Sequence, residues 1–203
     1  MQTPLCARSI LPALALALAS CDPGDDVVVT HPDRPPIAPF DECTVQTARE
    51  AATSASHVPP CSALDYDVPP SSGTHYAQWA AFGSYDEPVP WGFLVHALEH
   101  GAIVLSYRCE VGADCTEIRE TLQAIVDARP RDSLCRDEAP LRYVLAPAPD
   151  LAWPIAVLAW EHAYTATCLD RPSIEAFFAA HYAGAPENTC ASGVDLSSSG
   201  WCS

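Results

Sequence analysis

The stretch WGFLVHALEHGAIVLSY, from Trp91 to Tyr107, reads as a helix and a strand joined at one glycine. Trp91–His100 follows Pro90 and is stopped by Gly101, whose missing Cβ suits the left-handed residue just past a helix end. Ala102–Tyr107 is an apolar run of strand length. Downstream, Thr116 caps a helix over Glu117–Ala128, with Ile118, Leu122 and Ile125 at helical spacing and Pro130 beyond its end. Leu141–Ala146 and Ile155–Trp160 read as strands, the latter continuing towards Thr165. Ser173 opens a last helix whose Ile174, Phe177, Phe178 and Tyr182 share one side.

Upstream the pattern weakens. Cys43–Ser56 suits a short helix, with Thr44 as cap and Ala51, Ala52 and Ala55 favouring it. Residues 58–74 are loop, with proline pairs at 59–60 and 69–70, and His75–Pro90 is again irregular and aromatic-rich. Helices interleaved with strands, without strict alternation, define an α+β fold. The expectation is a small sheet of about three or more strands, helices on one of its faces, and a long irregular N-terminal loop. Residues 43–203 form a single domain with no internal repeat.

Composition narrows the function. The 203 residues hold ten Arg, no Lys and 26 Asp or Glu, for a net charge of -16. Such a chain does not bind nucleic acid through a basic surface, and lysine Schiff-base or Walker-type chemistry is excluded. Methionine occurs only as Met1, which excludes a Met-rich copper(I) carrier.

The first twenty residues read as an address. Ile10–Ala19 is apolar but shorter than the ~20 residues a spanning helix needs. Leu18-Ala19-Ser20-Cys21 is similar to a bacterial lipobox, so residues 1–20 are a lipoprotein signal and Cys21 is acylated, anchoring the protein to a membrane. Residues 21–42, acidic and with five prolines, read as a tether. Without Arg8 the mature chain has nine Arg against 26 acids, or -17. Setting aside Cys6 and Cys21 leaves Cys43, Cys61, Cys109, Cys115, Cys135, Cys168, Cys190 and Cys202. An even count suggests a four-bridge framework in an oxidising, extracytoplasmic compartment, the periplasm or the cell surface. Nearest-neighbour pairing gives Cys43–Cys61, Cys109–Cys115, Cys135–Cys168 and Cys190–Cys202 as one of many possible sets. No C-x-x-C occurs, which leaves redox-motif and zinc-ribbon readings without support.

Chemistry concentrates around the opening stretch. On a helix, His96 and His100 lie on one face, about 6 Å apart, with Glu99 beside them. His75, after Ser72-Gly73-Thr74, can fold back as a third ligand. Three neutral imidazoles suit Zn²⁺ or Cu²⁺. Glu99 would then act as general base or orienting group, with Tyr85 or Tyr107 as an auxiliary. His96–His100 also matches the H-x-x-E-H zinc-peptidase string, but those enzymes are larger and need a downstream carboxylate, for which Glu120 is the nearest helical candidate. Bracing of buried backbone by the same polar groups is the structural alternative. Among the other histidines, His57 reads as loop, His162 as a strand residue able to approach the cluster, and His181 as a helix-end cation.

Three ordered strings resemble a bacterial family known as domain of unknown function 3105. They are Pro69-Pro70-Ser71-Ser72-Gly73-Thr74-His75, Gly83-Ser84-Tyr85-Asp86-Glu87-Pro88-Val89-Pro90, and Val95-His96-Ala97-Leu98-Glu99-His100-Gly101 running on to Tyr107. Val157–Trp160 and the stretch from Phe177 to Ala185-Pro186-Glu187 are similar but less distinctive. The family brings no established activity; the resemblance implies that His75, His96, Glu99 and His100 belong to one site. The expected function is binding of a single transition-metal ion through three histidines, with a metal-dependent oxidoreductase or hydrolase on the same residues, or a structural lipoprotein without metal, as alternatives.

Overall fold

The computed structural model describes residues 26–52, 54–109, 113–135, 139–197 and 201–202. Residues 1–20, read from sequence as a signal, and Cys21 lie outside them. In chain order the elements are β1 (Val28–Thr30), β2 (Val45–Arg49), β3 (His57–Val58), β4 (His75–Tyr76), β5 (Gly83–Ser84), α1 (Trp91–Glu99), β6 (Ile103–Tyr107), α2 (Thr116–Asp127), β7 (Tyr143–Pro147), β8 (Ile155–Ala159), β9 (His162–Ala166) and α3 (Arg171–His181). Seven strands form one mixed sheet in the order β1-β2-β9-β8-β6-β7-β5, and β3 and β4 form a second, two-stranded sheet. The fold is α+β.

The centre of the sheet follows from the apolar run Ile103–Tyr107, every residue of which is buried. Ile103, Leu105 and Tyr107 share one core with Leu122, Ile125, Phe177 and Phe178 of α2 and α3. Val104 points into a second core with Phe93, Leu94 and Leu98 of α1. Helices therefore cover both faces, not the single face expected. A strand buried on both sides reads as a continuous apolar run, so the sequence held the clue. α2 supplies the crossover that lets β6 and β7 pair in parallel. Thr116 is its first helical residue and Cys115 its N-cap; just ahead of the helix, the Asp114 carboxylate accepts from the Thr116 amide at 3.0 Å. α3 opens at Arg171, two residues before Ser173, with Asp170 accepting from the Ser173 amide.

Three expectations are corrected. The helix over Cys43–Ser56 is instead the strand β2, paired antiparallel with β9 over its whole length. Weak alanine propensity yields there to a ladder that satisfies the backbone groups and buries Val45. The run from Ile155 towards Thr165 is two strands, closed by Trp160–Glu161, with Glu161 at a φ of 62°. The Pro-rich segment is docked rather than free. β1 pairs with β2, the Ile37 amide donates to the Thr167 carbonyl at 2.7 Å, and Arg34 donates to Asp170 at 3.1 Å.

All eight cysteines of the framework are bridged, as Cys43–Cys168, Cys61–Cys202, Cys109–Cys115 and Cys135–Cys190. Only Cys109–Cys115 matches the nearest-neighbour set. The other bridges join residues that the sheet and the C-terminal segment bring together from 55 to 141 positions apart. Four disulfides point to an oxidising, extracytoplasmic environment. Among the described residues no helix is long and apolar enough to cross a membrane.

His162 and His181 stack on each other with ring centroids 4.0 Å apart. Burial, then the Arg49 charge, holds His162 below the ordinary imidazole range against a smaller opposing pull from Glu161. Burial, then His162, does the same to His181. The unfolded chain takes up these protons near pH 6.5, above the folded pair, so their stabilisation is complete above about pH 6.5 and is lost as the pH falls. We predict that His181→Gln flattens the fall of melting temperature between about pH 7 and pH 5, measured by circular dichroism on wild type and variant.

Candidate metal centre

The site is assembled where α1 ends. Every residue of α1 from Gly92 to Glu99 is buried, and the helix closes at His100 and Gly101. Gly101 has a φ of 83°, the conformation a glycine accepts without strain. His96, Glu99 and His100 thus sit in the last turn, where the negative end of the helix dipole favours a cation. β4 lies against α1, and the ring of Tyr76 rests on Gly92, where a Cβ would approach it to 2.6 Å. The Tyr76 carbonyl accepts from His96 Nδ1 at 2.6 Å. Beside it, β3 pairs in parallel with β4 and sets His57 directly opposite His75.

Three imidazoles converge on one carboxylate. His75 Nε2 stands 3.0 Å from Glu99 Oε2, His57 Nε2 3.4 Å and His96 Nε2 4.0 Å. The ligand atoms of these four residues all lie within 4.8 Å of one another. His57, His75 and His96 have ring centroids a uniform 4.7 Å apart. His75, His96 and Glu99 are buried, whereas the His57 side chain is 45% exposed.

The outer hydrogen bonds fix the tautomers. His75 Nδ1 is 2.8 Å from the Gly73 carbonyl, and His96 Nδ1 meets that of Tyr76. A carbonyl only accepts, so both Nδ1 atoms carry the proton and both Nε2 atoms of the neutral rings offer lone pairs inward. Lone pairs then face a carboxylate, an arrangement that a cation between them resolves. The cation is either a second proton on a ring or a metal ion. Burial opposes the proton on His96, pushing its pKa down to about 4 against a smaller opposing pull from the Tyr76 carbonyl. Backbone-anchored Nδ1–H groups with Nε2 directed inward are also the usual outer arrangement of metal-ligating histidines.

His100 stands slightly apart. Its Nε2 is 3.1 Å from His96 Nε2 and 3.2 Å from Glu187 Oε2, and its buried Nδ1 has no hydrogen-bond partner among the described residues. With Glu99 and Glu187 it forms a second group of possible ligands. Burial lowers its pKa, with Glu187 and Glu99 pulling the other way. Trp79 covers both rings, 4.2 Å from His100 and 5.1 Å from His96. Its indole N–H donates to the Ala191 carbonyl at 3.2 Å.

Of the residues singled out from sequence, His75, His96, Glu99 and His100 come together. His57, read as loop, joins them through a strand pairing that no local signal announces, and Glu187 arrives from 87 positions beyond His100. Tyr85 donates its hydroxyl to the Ala81 carbonyl at 2.7 Å and packs in the core below α1. Burial pushes that hydroxyl up to about 12. Tyr107 points to the opposite side of the sheet, in the core under α2 and α3, and Glu120 lies on α2. His162 pairs with His181 rather than approaching the cluster. Arg142, unmarked in the sequence, is 2% exposed and donates to the His100 carbonyl at 2.9 Å, satisfying one of the orphan acceptors at the helix end.

These features define a disulfide-braced α+β domain, its sheet covered on both faces, with a buried histidine–glutamate cluster at one helix terminus. The family model described as "Protein of unknown function (DUF3105)" matches residues 57–193, well over half of the chain, and the protein belongs to that family. The match begins at His57 and contains every residue of the cluster, Glu187 included. No curated protein and no solved structure matches the chain.

Gly92→Ala tests the contact that positions His96. The new methyl must displace the Tyr76 ring, and overpacking of this kind costs about 1–3 kcal/mol. We predict a matching loss in chemical denaturation, with a change in the His96 ring resonances by NMR that a purely peripheral strain would not produce.

Proposed function

We propose that this protein is an extracytoplasmic metal-binding lipoprotein, held to a membrane by acylated Cys21 and carrying a divalent transition-metal ion among His57, His75, His96 and Glu99. The observation that carries the reading is the convergence of ring nitrogens on one buried carboxylate, with His75 and His96 anchored through Nδ1 to backbone carbonyls. Three imidazoles and a carboxylate are borderline donors and suit Zn²⁺ or Cu²⁺; Cu⁺ would prefer the thiolates and thioethers that the site lacks. This ligand set differs from the one the sequence suggested, since His57 takes the third imidazole place and His100 lies behind His96. Binding is the first reading rather than hydrolysis, because Glu99 is enclosed by the rings and is not a free base. A half-exposed His57 supplies the position at which an exogenous ligand would enter.

Elemental analysis of the full chain, purified with its disulfides formed and without added metal, tests the proposal. Zinc or copper is expected in at least one equivalent per chain. His75→Ala and His96→Ala should each weaken binding about tenfold or more. Adding metal to the apo protein at a hundred times its Kd should raise stability by about 2.7 kcal/mol. Unchanged metal content in both variants, or no metal effect on melting, would reject the site. Mass spectrometry of the mature N-terminus checks Cys21 acylation. A spectral shift of the copper-loaded protein with azide would bring the enzymatic alternative forward.

A further inference from the structure

The donors fall into two sets with a single member in common. His57, His75, His96 and Glu99 form one, and Glu99, His100 and Glu187 form the other, each with its ligand atoms within 4.8 Å. Bonds to a transition-metal ion run about 2.0–2.2 Å, so donors on one ion stand no more than ~4.4 Å apart. The six residues do not make one such set, and a single ion cannot take them all. Yet the sets adjoin: His100 Nε2 lies 3.1 Å from His96 Nε2.

Resting on the function proposed above, we infer that the protein holds a dinuclear centre in which the Glu99 carboxylate bridges a first ion on His57, His75 and His96 and a second on His100 and Glu187. The second set is built rather than incidental. The Glu187 amide donates to the Glu99 carbonyl at 3.1 Å, and the Ala183 amide to that of Gly101 at 3.0 Å. Arg142 ties the next residue, Asn188, to the end of α1 at 2.6 Å, and Cys190 is bridged to Cys135. The segment carrying Glu187 is therefore fastened to the helix terminus at several points. The Glu187 side chain is 52% exposed, so three protein donors leave part of the second ion's shell to water. One imidazole and two carboxylates suit a divalent ion such as Zn²⁺ or Cu²⁺. Two ions about 3.5–4 Å apart on a shared carboxylate are an arrangement that holds and activates a water or an anionic oxygen ligand.

Isothermal titration and elemental analysis of the apo full chain with Cu²⁺ or Zn²⁺ test this, alongside Glu187→Gln and His75→Ala. Two ions per chain are expected in the wild type and one in Glu187→Gln. That variant should weaken the second binding step at least tenfold while leaving the first within twofold. The Cu²⁺-loaded wild type should show the half-field electron paramagnetic resonance line of a coupled pair, absent from Glu187→Gln. Glu187 is a surface side chain, so its variant folds normally, as its melting curve will check. One ion per chain, or two ions unaffected by Glu187→Gln, overturns the dinuclear centre and leaves Glu187 a simple ion-pair partner of His100. A single ion lost in His75→Ala leaves the first site standing, whereas no ion at all removes both.

Discussion

The turn from α1 into β6 is the constraint on which the rest of the structure depends. Gly101 adopts a left-handed conformation, and a Cβ there would meet Arg142 Nη1 at 2.9 Å and Ala183 Cα at 3.0 Å. Its amide donates to the Leu98 carbonyl and its carbonyl accepts from Ala183. One residue thereby stops the helix, starts the central strand and receives the C-terminal segment. A side chain at this point would push away both Arg142 and the chain that carries Glu187. The same turn brings the last helical residues, His96, Glu99 and His100, to the end of the helix where carbonyl dipoles accumulate.

That location has an electrostatic consequence. Glu99 is buried, and the helix terminus adds further negative potential, so the region calls for positive charge. Arg142 answers part of this by bonding the His100 carbonyl, but its charge is already engaged by Asp132 at 2.9 Å. The imidazoles face the remainder, and burial makes the proton a poor choice for His96. The buried Glu99 carboxylate is thus ringed by imidazole nitrogens at the negative end of the helix. The scaffold around it is stiff. Disulfides tie the C-terminal segment to the chain at Cys61 and Cys135, and backbone bonds such as Val194 to Trp79 lay that segment across Trp79.

Local physics made much of this legible. The helix, the glycine stop and the strand from Trp91 to Tyr107 lie within a few residues of the positions their pattern implied, because period and capping act over short range. His96, Glu99 and His100 share one helical turn and were visible for the same reason. His57 was not, because it precedes Val-Pro-Pro and gains its place only by pairing with His75 across the sixteen residues that join β3 to β4. Glu187 lies in a stretch that resembles the family, yet nothing near it in sequence marks a ligand. The segment around β2 reads as helical because Ala51, Ala52 and Ala55 just beyond it speak for local propensity, while the strand's partner β9 is more than a hundred residues away.

The sequence by itself determined that this is an acidic, lysine-free α+β chain with an even set of cysteines and a helix bearing two histidines and a glutamate. Composition, parity and period need no tertiary information. Tertiary structure alone decided which cysteines pair, that helices cover both faces of a seven-stranded sheet, and that His57 and Glu187 flank the cluster. Each of those outcomes is a contact between distant segments, set by which backbone ladders and apolar faces close together, and short-range patterns carry no record of that choice.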